Sequence, residues 1–598
     1  MTLKKTNSEP VVITVRPLSL SMHELEVELR FPPEAVAGGA VATLPAWTPG
    51  SYLVRDYARF LDRLTVEDGA GRPSPFEKVD KQSWRLTGAP DGLKVTYRLF
   101  CNELTVRTNH VDAAHAHLVG AASFLYLEGQ TARPCVVKFE GWPKGWRVAS
   151  ALPRRDGGYL AADHDTLVDS PFELGTFRMH TFRVRGCDFQ MAITGQHPGD
   201  EARIVAGTEA IVGACARIFG GLPFRRYLFL LTFSPRIRGG LEHKDSTSLL
   251  ADPQQLERAE GYYDLFTLIA HEFFHVWNVK RLRDKVLGPF DYRGENHSRL
   301  LWFHEGFTSF MQYGIVLKAA VAPWSWVARK LGNSWTDNTT RPGRLEQSLE
   351  EASFDAWIRH YKPTEFATNS TVSYYDKGAM VAWMMDAELR LASDGAKGLE
   401  EFFALLWERH GDGHVTDGDL RAAYGEMTGR DPAVFWRRYL EGRAELDPVG
   451  IERAYGLRLV ARAPWENLAP SEAEDPDALR RARTWSGLVF QGPGPAVHNV
   501  HPGSPAARAG LGYGMEILAV DGWRTVSAQE VQNRLGDGSL GDQVEILAAE
   551  RGRVATYALT LGENPLRTTH LSAEPKATAA QKAAFTAWTG QSFPQRRA

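Results

Sequence analysis

Cysteine is scarce in this chain: four residues, Cys101, Cys135, Cys187 and Cys215, are scattered through 598 positions with no C-x-x-C pair. That spacing argues against a disulfide framework or a thiolate-held metal, and the four are expected as reduced core residues. Net charge is nearly absent as well; at −3 the chain has no bulk attraction for nucleic acid or an anionic membrane. No uninterrupted apolar run reaches transmembrane length, and the two lysines of residues 1–10 have no apolar stretch behind them, so neither a membrane span nor a secretory signal is recognisable. The expected location is the cytoplasm, or the periplasm if a leader has been trimmed. Internal repeats, a phosphate-cradling G-x-x-x-x-G-K and nucleic-acid modules are missing too. What is present is a 43% apolar composition over a length that suggests about four domains, ample for several cores.

Within the apolar, helix-length stretch 263–282 stands His271-Glu272-Phe273-Phe274-His275, an H-E-x-x-H motif. On a helix the two histidines lie one turn apart on one face, so both imidazoles reach one cation while Glu272 sits beside them as a base. The chemistry this predicts is hydrolysis by a zinc-activated water. A buried helix with hydrogen-bonded histidines is the plain alternative, since Leu265, Phe266, Leu268, Ile269, Phe273 and Phe274 supply a core-facing surface.

Hydrolytic zinc takes three protein ligands and keeps a position for water, so a third ligand must come from elsewhere. The segment 302–310, WFHEGFTSF, opens another apolar helical stretch, and Glu305 is the chosen ligand, because a carboxylate among apolar neighbours is costly unless a cation compensates it. His304 is its rival; neighbours on a helix point about 100° apart, so only one of them faces the metal. Two more segments carry chemistry. Gly239-Gly240-Leu241-Glu242-His243 follows the apolar strand at 227–233, where glycines let a peptide backbone approach closely or simply make a turn. Ser373-Tyr374-Tyr375-Asp376-Lys377-Gly378 precedes an apolar helix, and a phenol there either packs or donates a hydrogen bond to a developing oxyanion.

HEFFHVWNVKRL at 271–282, WFHEGF at 302–307 and WTPGSY at 47–52 together resemble the bacterial glycyl aminopeptidase family, gluzincin metallopeptidases with a PDZ domain that are distantly similar to aminopeptidase N. The resemblance implies zinc held by His271, His275 and Glu305, with Glu272 as general base. It also implies that Glu242 holds the substrate's free α-amino group while Gly239 and Gly240 let the peptide backbone approach, and that Tyr375 is the oxyanion donor, with the adjacent Tyr374 left open by the sequence. His243 replaces the asparagine of the larger group, and residues 276–304 between the second histidine and Glu305 make a longer insert. The family name implies removal of small N-terminal residues such as Gly or Ala.

The predicted architecture is multidomain α+β. An antiparallel β-sandwich is expected over 1–185, where β-branched and alternating stretches at 11–15, 25–31 and 94–99 are parted by Gly/Pro turns. A thermolysin-like, mainly helical catalytic domain is expected over 186–460, with helices near 201–219, 263–282, 300–318, 379–392 and 399–409. The Pro- and acid-rich stretch after 460 reads as a linker, 461–483. Residues 484–563 resemble a PDZ domain through PGSPA at 502–506 and the run from Gly514 to Gly522, with Gly487, Leu488, Val489 and Phe490 as the loop that takes a terminal carboxylate. The tail, 564–598, contains an Ala/Lys helix with Trp588 as an anchor. The basic cluster after the metal helix, Lys280-Arg281-Arg283-Asp284-Lys285, reads as a solvated helix end.

The expected partners are peptides with a free N-terminus and a C-terminal peptide for the PDZ groove, with no nucleic acid and no membrane; nothing in the sequence specifies an oligomeric state. Two other functions use the same residues: a zinc endopeptidase on the same site, and a noncatalytic peptide-binding scaffold that relies on the PDZ groove.

Overall fold

The computed structural model describes residues 8–155 and 157–594, so most of the segment read for a signal, residues 1–7, lies outside the described residues. The chain divides into two compact units. One contains residues up to 298 with 311–322 and 400–423; the other contains 299–310, 323–399 and everything from 424 onward.

The first unit opens with β-structure that follows the period of its side chains. In Glu24–Phe31 the residues Leu25, Val27, Leu29 and Phe31 are buried, and in Leu93–Phe100 Leu93, Val95, Tyr97 and Leu99 are. Antiparallel register sets Val27 opposite Tyr97 and Leu29 opposite Val95, which makes one face of the sheet continuously apolar. This sheet has seven strands, and two four-stranded sheets contribute to the same core through residues such as Trp84 and Phe172. The β-structure is mixed rather than antiparallel, because Val11–Ser19 pairs in parallel with Cys135–Phe139. The second of these strands enters only after a long crossover that builds one of the four-stranded sheets and half of the other, the connection that parallel pairing requires. The cysteines are all free, three of them buried, and burial pushes the Cys135 thiol up to about 12.

A five-stranded sheet follows in the same unit. Cys187–Thr194, Arg226–Phe233 and Ser246–Ala251 run parallel at its centre, and the short strand Gly239–Glu242 closes one edge antiparallel. Arg226–Phe233 is buried at every position after its first, as a parallel strand covered on both faces must be. Helices Glu201–Ile218 and Ala259–Phe274 cross where Gly207 leaves room for the Phe266 ring; a Cβ there would stand 2.2 Å from it.

The second unit is helical around Trp324–Thr340, Asp376–Ala392 and Val449–Tyr455, with an ion pair between Arg390 and Asp386 buried beside Tyr455. Its C-terminal portion is organised differently from a linear run of linker, domain and tail. Strand Leu457–Arg462 pairs antiparallel with Thr568–Ala573, so the residues between them are an insertion into a hairpin. The stretch expected as a linker forms the 3-10 turn Pro464–Glu466 and the helices Pro470–Ala473 and Pro476–Arg483. Then come the hairpin Leu488–Phe490/Val497–Val500, a four-stranded sheet and the helices Pro505–Ala509 and Ala528–Gly536, around a core of their own that includes Ile517, Val531, Ile546 and Leu559. The expected tail returns to the helical part: helix Ala579–Thr589 starts at a Thr578/Gln581 capping box and buries Phe585 and Trp588. The Trp588 ring packs on Phe310, Trp324, Trp383 and Tyr455.

Candidate active site

Helix Ala259–Phe274 stops earlier than its apolar pattern predicts, with His275 as its C-cap rather than an interior residue. Beyond it the chain tightens: Val276 and Trp277 donate to carbonyls three residues back, and Val279 adopts φ 133°, a costly backbone conformation for a β-branched residue. The early stop has a use. It turns the Asn278 carbonyl back onto His275, whose Nδ1–H donates to it at 2.6 Å. His271 Nδ1 donates in turn to Gln312 Oε1 at 3.1 Å. With both protons held at Nδ1, each imidazole presents the lone pair of Nε2, the tautomer that a cation between the two rings requires. The ring centroids lie 4.7 Å apart. These residues therefore fit a divalent metal, with Gln312 and Asn278 orienting its ligands.

Glu272 and the edge strand are built against each other. Glu272 is buried beneath Gly240, where an added Cβ would lie 2.0 Å from its Oε1 and displace the carboxylate. Pairing of Gly239–Glu242 with Ser246–Ala251 places Glu242 opposite Thr247. The 47–52 segment completes this wall: Pro49-Gly50 makes a turn closed by Ser51 N–H on the Thr48 carbonyl, with Gly50 at φ 86°. A Cβ on Gly50 would stand 2.6 Å from Glu242 Oε1. Donor atoms of Glu242, Glu272 and His275 lie within 4.8 Å of one another, so a second buried carboxylate stands beside Glu272 and one imidazole.

At the start of the basic cluster after the helix, Lys280 and Arg281 are tied into the fold rather than solvated, while Lys285 is exposed. Arg281 is buried and donates to the Val276 and Lys244 carbonyls and to Asp245. Lys280 Nζ donates to Asp169 at 2.6 Å, and Asp169 also accepts from the Lys244 amide and meets His243 Nδ1. Burial opposes the charge on Asp169, but Lys280 and His243 outweigh it and hold that carboxyl well below the usual range. Asp169 was not legible in the sequence because it lies far along the chain in an unremarkable stretch.

In the second unit, residues expected as ordinary helix form a π-helical turn, Trp302–Phe307, ahead of Thr308–Lys318. His304 and Glu305 are both buried there. Gly306 packs on backbone: a Cβ would meet Gly378 Cα and the Tyr374 carbonyl oxygen, each at 2.6 Å. Of the adjacent tyrosines Tyr374 is fully buried, whereas Tyr375, at the start of helix Asp376–Ala392, is partly exposed. Burial raises the Tyr375 phenol well above its usual pKa, and the Glu305 carboxylate and Tyr361 push it the same way, so it stays a proton donor. Tyr361 Oη lies 3.4 Å from Tyr375 Oη, and the His360 ring lies 5.4 Å from the Tyr375 ring. His360 and Tyr361 carry no sequence signal. In the inserted segment, Gly487 sits at φ 84° against Ser504, and Leu488–Phe490 pairs only with Val497–Val500 among the described residues.

An H-E-x-x-H helix under an antiparallel edge strand, with both imidazoles locked through Nδ1 and a buried carboxylate beside them, defines the metallopeptidase class. Comparison with known proteins narrows this. Residues 13–176 match the peptidase M61 N-terminal domain, and residues 264–381 match the M61 glycyl aminopeptidase domain. Over these two stretches the chain is similar to the peptidase M61, glycyl aminopeptidase, family. An aminopeptidase N family protein from Idiomarina loihiensis has a crystal structure similar to it, with a TM-score of 0.88 and 29% identity over 97% of this chain and 100% of that one. The chain is also 28% identical over 224 residues to aminopeptidase N of Caulobacter vibrioides; the match takes in 36% of this chain and only 22% of that longer protein.

Proposed function

We propose that the protein is a zinc-dependent aminopeptidase that removes one small N-terminal residue, Gly or Ala, from peptides. His271, His275 and Glu305 would hold one zinc ion. When bound, zinc supplies a Lewis acid and lowers the pKa of water from 15.7 toward about 7. Glu272 takes the proton from the attacking water and passes it to the departing amine. The Tyr375 hydroxyl donates to the oxyanion that develops on the scissile carbonyl. Glu242 accepts hydrogen bonds from the substrate's α-ammonium group and stops the chain there, while Gly239 and Gly240 leave a bare backbone edge for the peptide to lie along.

The observation that carries this reading is the pinning of both Nδ1 atoms, by Asn278 and Gln312, which spends the histidines on orientation rather than on core hydrogen bonds. The exopeptidase assignment draws on the second carboxylate beside the base. The test compares free and N-acetylated peptides with and without a chelator. An aminopeptidase cleaves only the free peptide and loses that activity to the chelator; cleavage of the capped peptide would make it an endopeptidase, and cleavage of neither would leave a scaffold.

For the inserted segment, 484–563, we propose a PDZ domain whose Gly487–Phe490 loop takes the carboxylate of a C-terminal peptide. The turn at Gly487 and the singly paired strand after it support this.

A further inference from the structure

The densest grouping of histidines away from the H-E-x-x-H helix lies on the antiparallel pair His110–Val111 and His115–Leu118. His110 stands directly opposite His117 in register, and His115, two residues before His117, projects from the same face. Next to them runs Phe172–Gly175, with Glu173 opposite His117. Glu173 accepts from His115 Nδ1 at 2.9 Å, from His117 Nδ1 at 3.2 Å and from Thr194 Oγ1 at 2.8 Å, all buried. Three donors thus converge on one buried carboxylate, which fixes the orientation of the two imidazoles. As with the catalytic pair, an acceptor on Nδ1 leaves Nε2 to ligate.

Asp112 sits in the turn between the two strands. Its Oδ1 takes the Ala114 and His115 amides at 2.7 and 2.9 Å, which leaves Oδ2 toward His110 Nε2, 3.2 Å away. His110 is 8% exposed, yet its Nδ1 has no hydrogen-bond partner among the described residues. Buried polar nitrogens left unpaired are costly, which points to a ligand of the cluster. Donor atoms of His110, Asp112 and His115 all lie within 4.8 Å of one another.

We propose that His110, Asp112 and His115 form a second divalent-metal site, for a borderline cation such as Zn²⁺, with Glu173 positioning the His115 imidazole from behind. Two imidazoles and one carboxylate suit that class of cation, and closing onto bonds of about 2.0–2.1 Å draws the donors in by roughly an ångström. A metal there would tie the hairpin at 110–115 to Phe172–Gly175 and, through Glu173 and Thr194, to the five-stranded sheet.

The test uses the full chain carrying His271→Ala and His275→Ala, dialysed and titrated with Co²⁺. One saturable equivalent with visible ligand-field bands and a raised Tm is expected. Adding Asp112→Asn, which keeps the Oδ1 acceptor of the turn but removes the charged ligand, should weaken that binding by at least about tenfold. His110→Gln in the same background should do the same and leaves the Asp112 turn alone. Absence of saturable binding, or unchanged affinity in both added variants, would overturn the proposal. Loss of catalytic metal binding is judged separately on the wild-type chain.

Discussion

Gly240 and Gly50 do their work by lacking a side chain, and each holds a carboxylate in place. In Gly240→Ala the new methyl collides with the Glu272 carboxylate, so kcat should fall about a hundredfold while the thermal midpoint barely moves, a contrast that steady-state kinetics and a melting curve would reveal. Glu272→Gln removes the proposed base: turnover should drop by about 10²–10⁴-fold with metal content unchanged by elemental analysis, and a variant near the parental rate would refute the assignment. The H-E-x-x-H face was legible because helical period alone aligns His271 with His275. Their anchors, Asn278 and Gln312, were not, since one depends on where the helix ends and the other on a packing partner 41 residues away. Glu173 sets a pH dependence. Its folded pKa, near 2, lies below the reference of 4.5, so its contribution to stability is full above 4.5 and is lost as pH falls through 2. Glu173→Gln should therefore lower the urea midpoint more at pH 6 than at pH 3.

Among elements, the π-helical turn Trp302–Phe307 departs furthest from its sequence pattern. Apolar spacing announces a helix there, but the extra residue per turn comes from tertiary fit, the close seating of Gly306 on Gly378. In Gly306→Ala the obstacle is backbone and cannot swing aside, so about 1–3 kcal/mol of stability should go, with a fall in kcat as Glu305 and Tyr375 lose their spacing; denaturant unfolding alongside kinetics checks both. The strands of the first unit were more readable, since a period of two with one buried face fixes register as well as position. The parallel pairing of Val11–Ser19 was not, because strand direction is decided by connections that no local pattern encodes.

Across the whole molecule, order along the chain misleads at the C-terminal end. Read linearly, residues after 563 are a tail; in the fold they supply a strand and a helix to the helical part of the second unit. Trp588→Ala should cost about 3–5 kcal/mol, a core-sized loss measurable by chemical denaturation, whereas an ornamental tail would tolerate it. The single aromatic was a fair clue, but a partner strand more than a hundred residues upstream lies beyond any window of periodicity.

Arg462 and Thr568 face each other across that pairing, so the two ends of the intervening module emerge side by side. A module mounted in this way behaves like a cartridge in a socket: a two-residue hairpin loop could bridge the gap left by its excision, and evolution or an engineer could exchange it without redrawing the chassis that holds the catalytic residues.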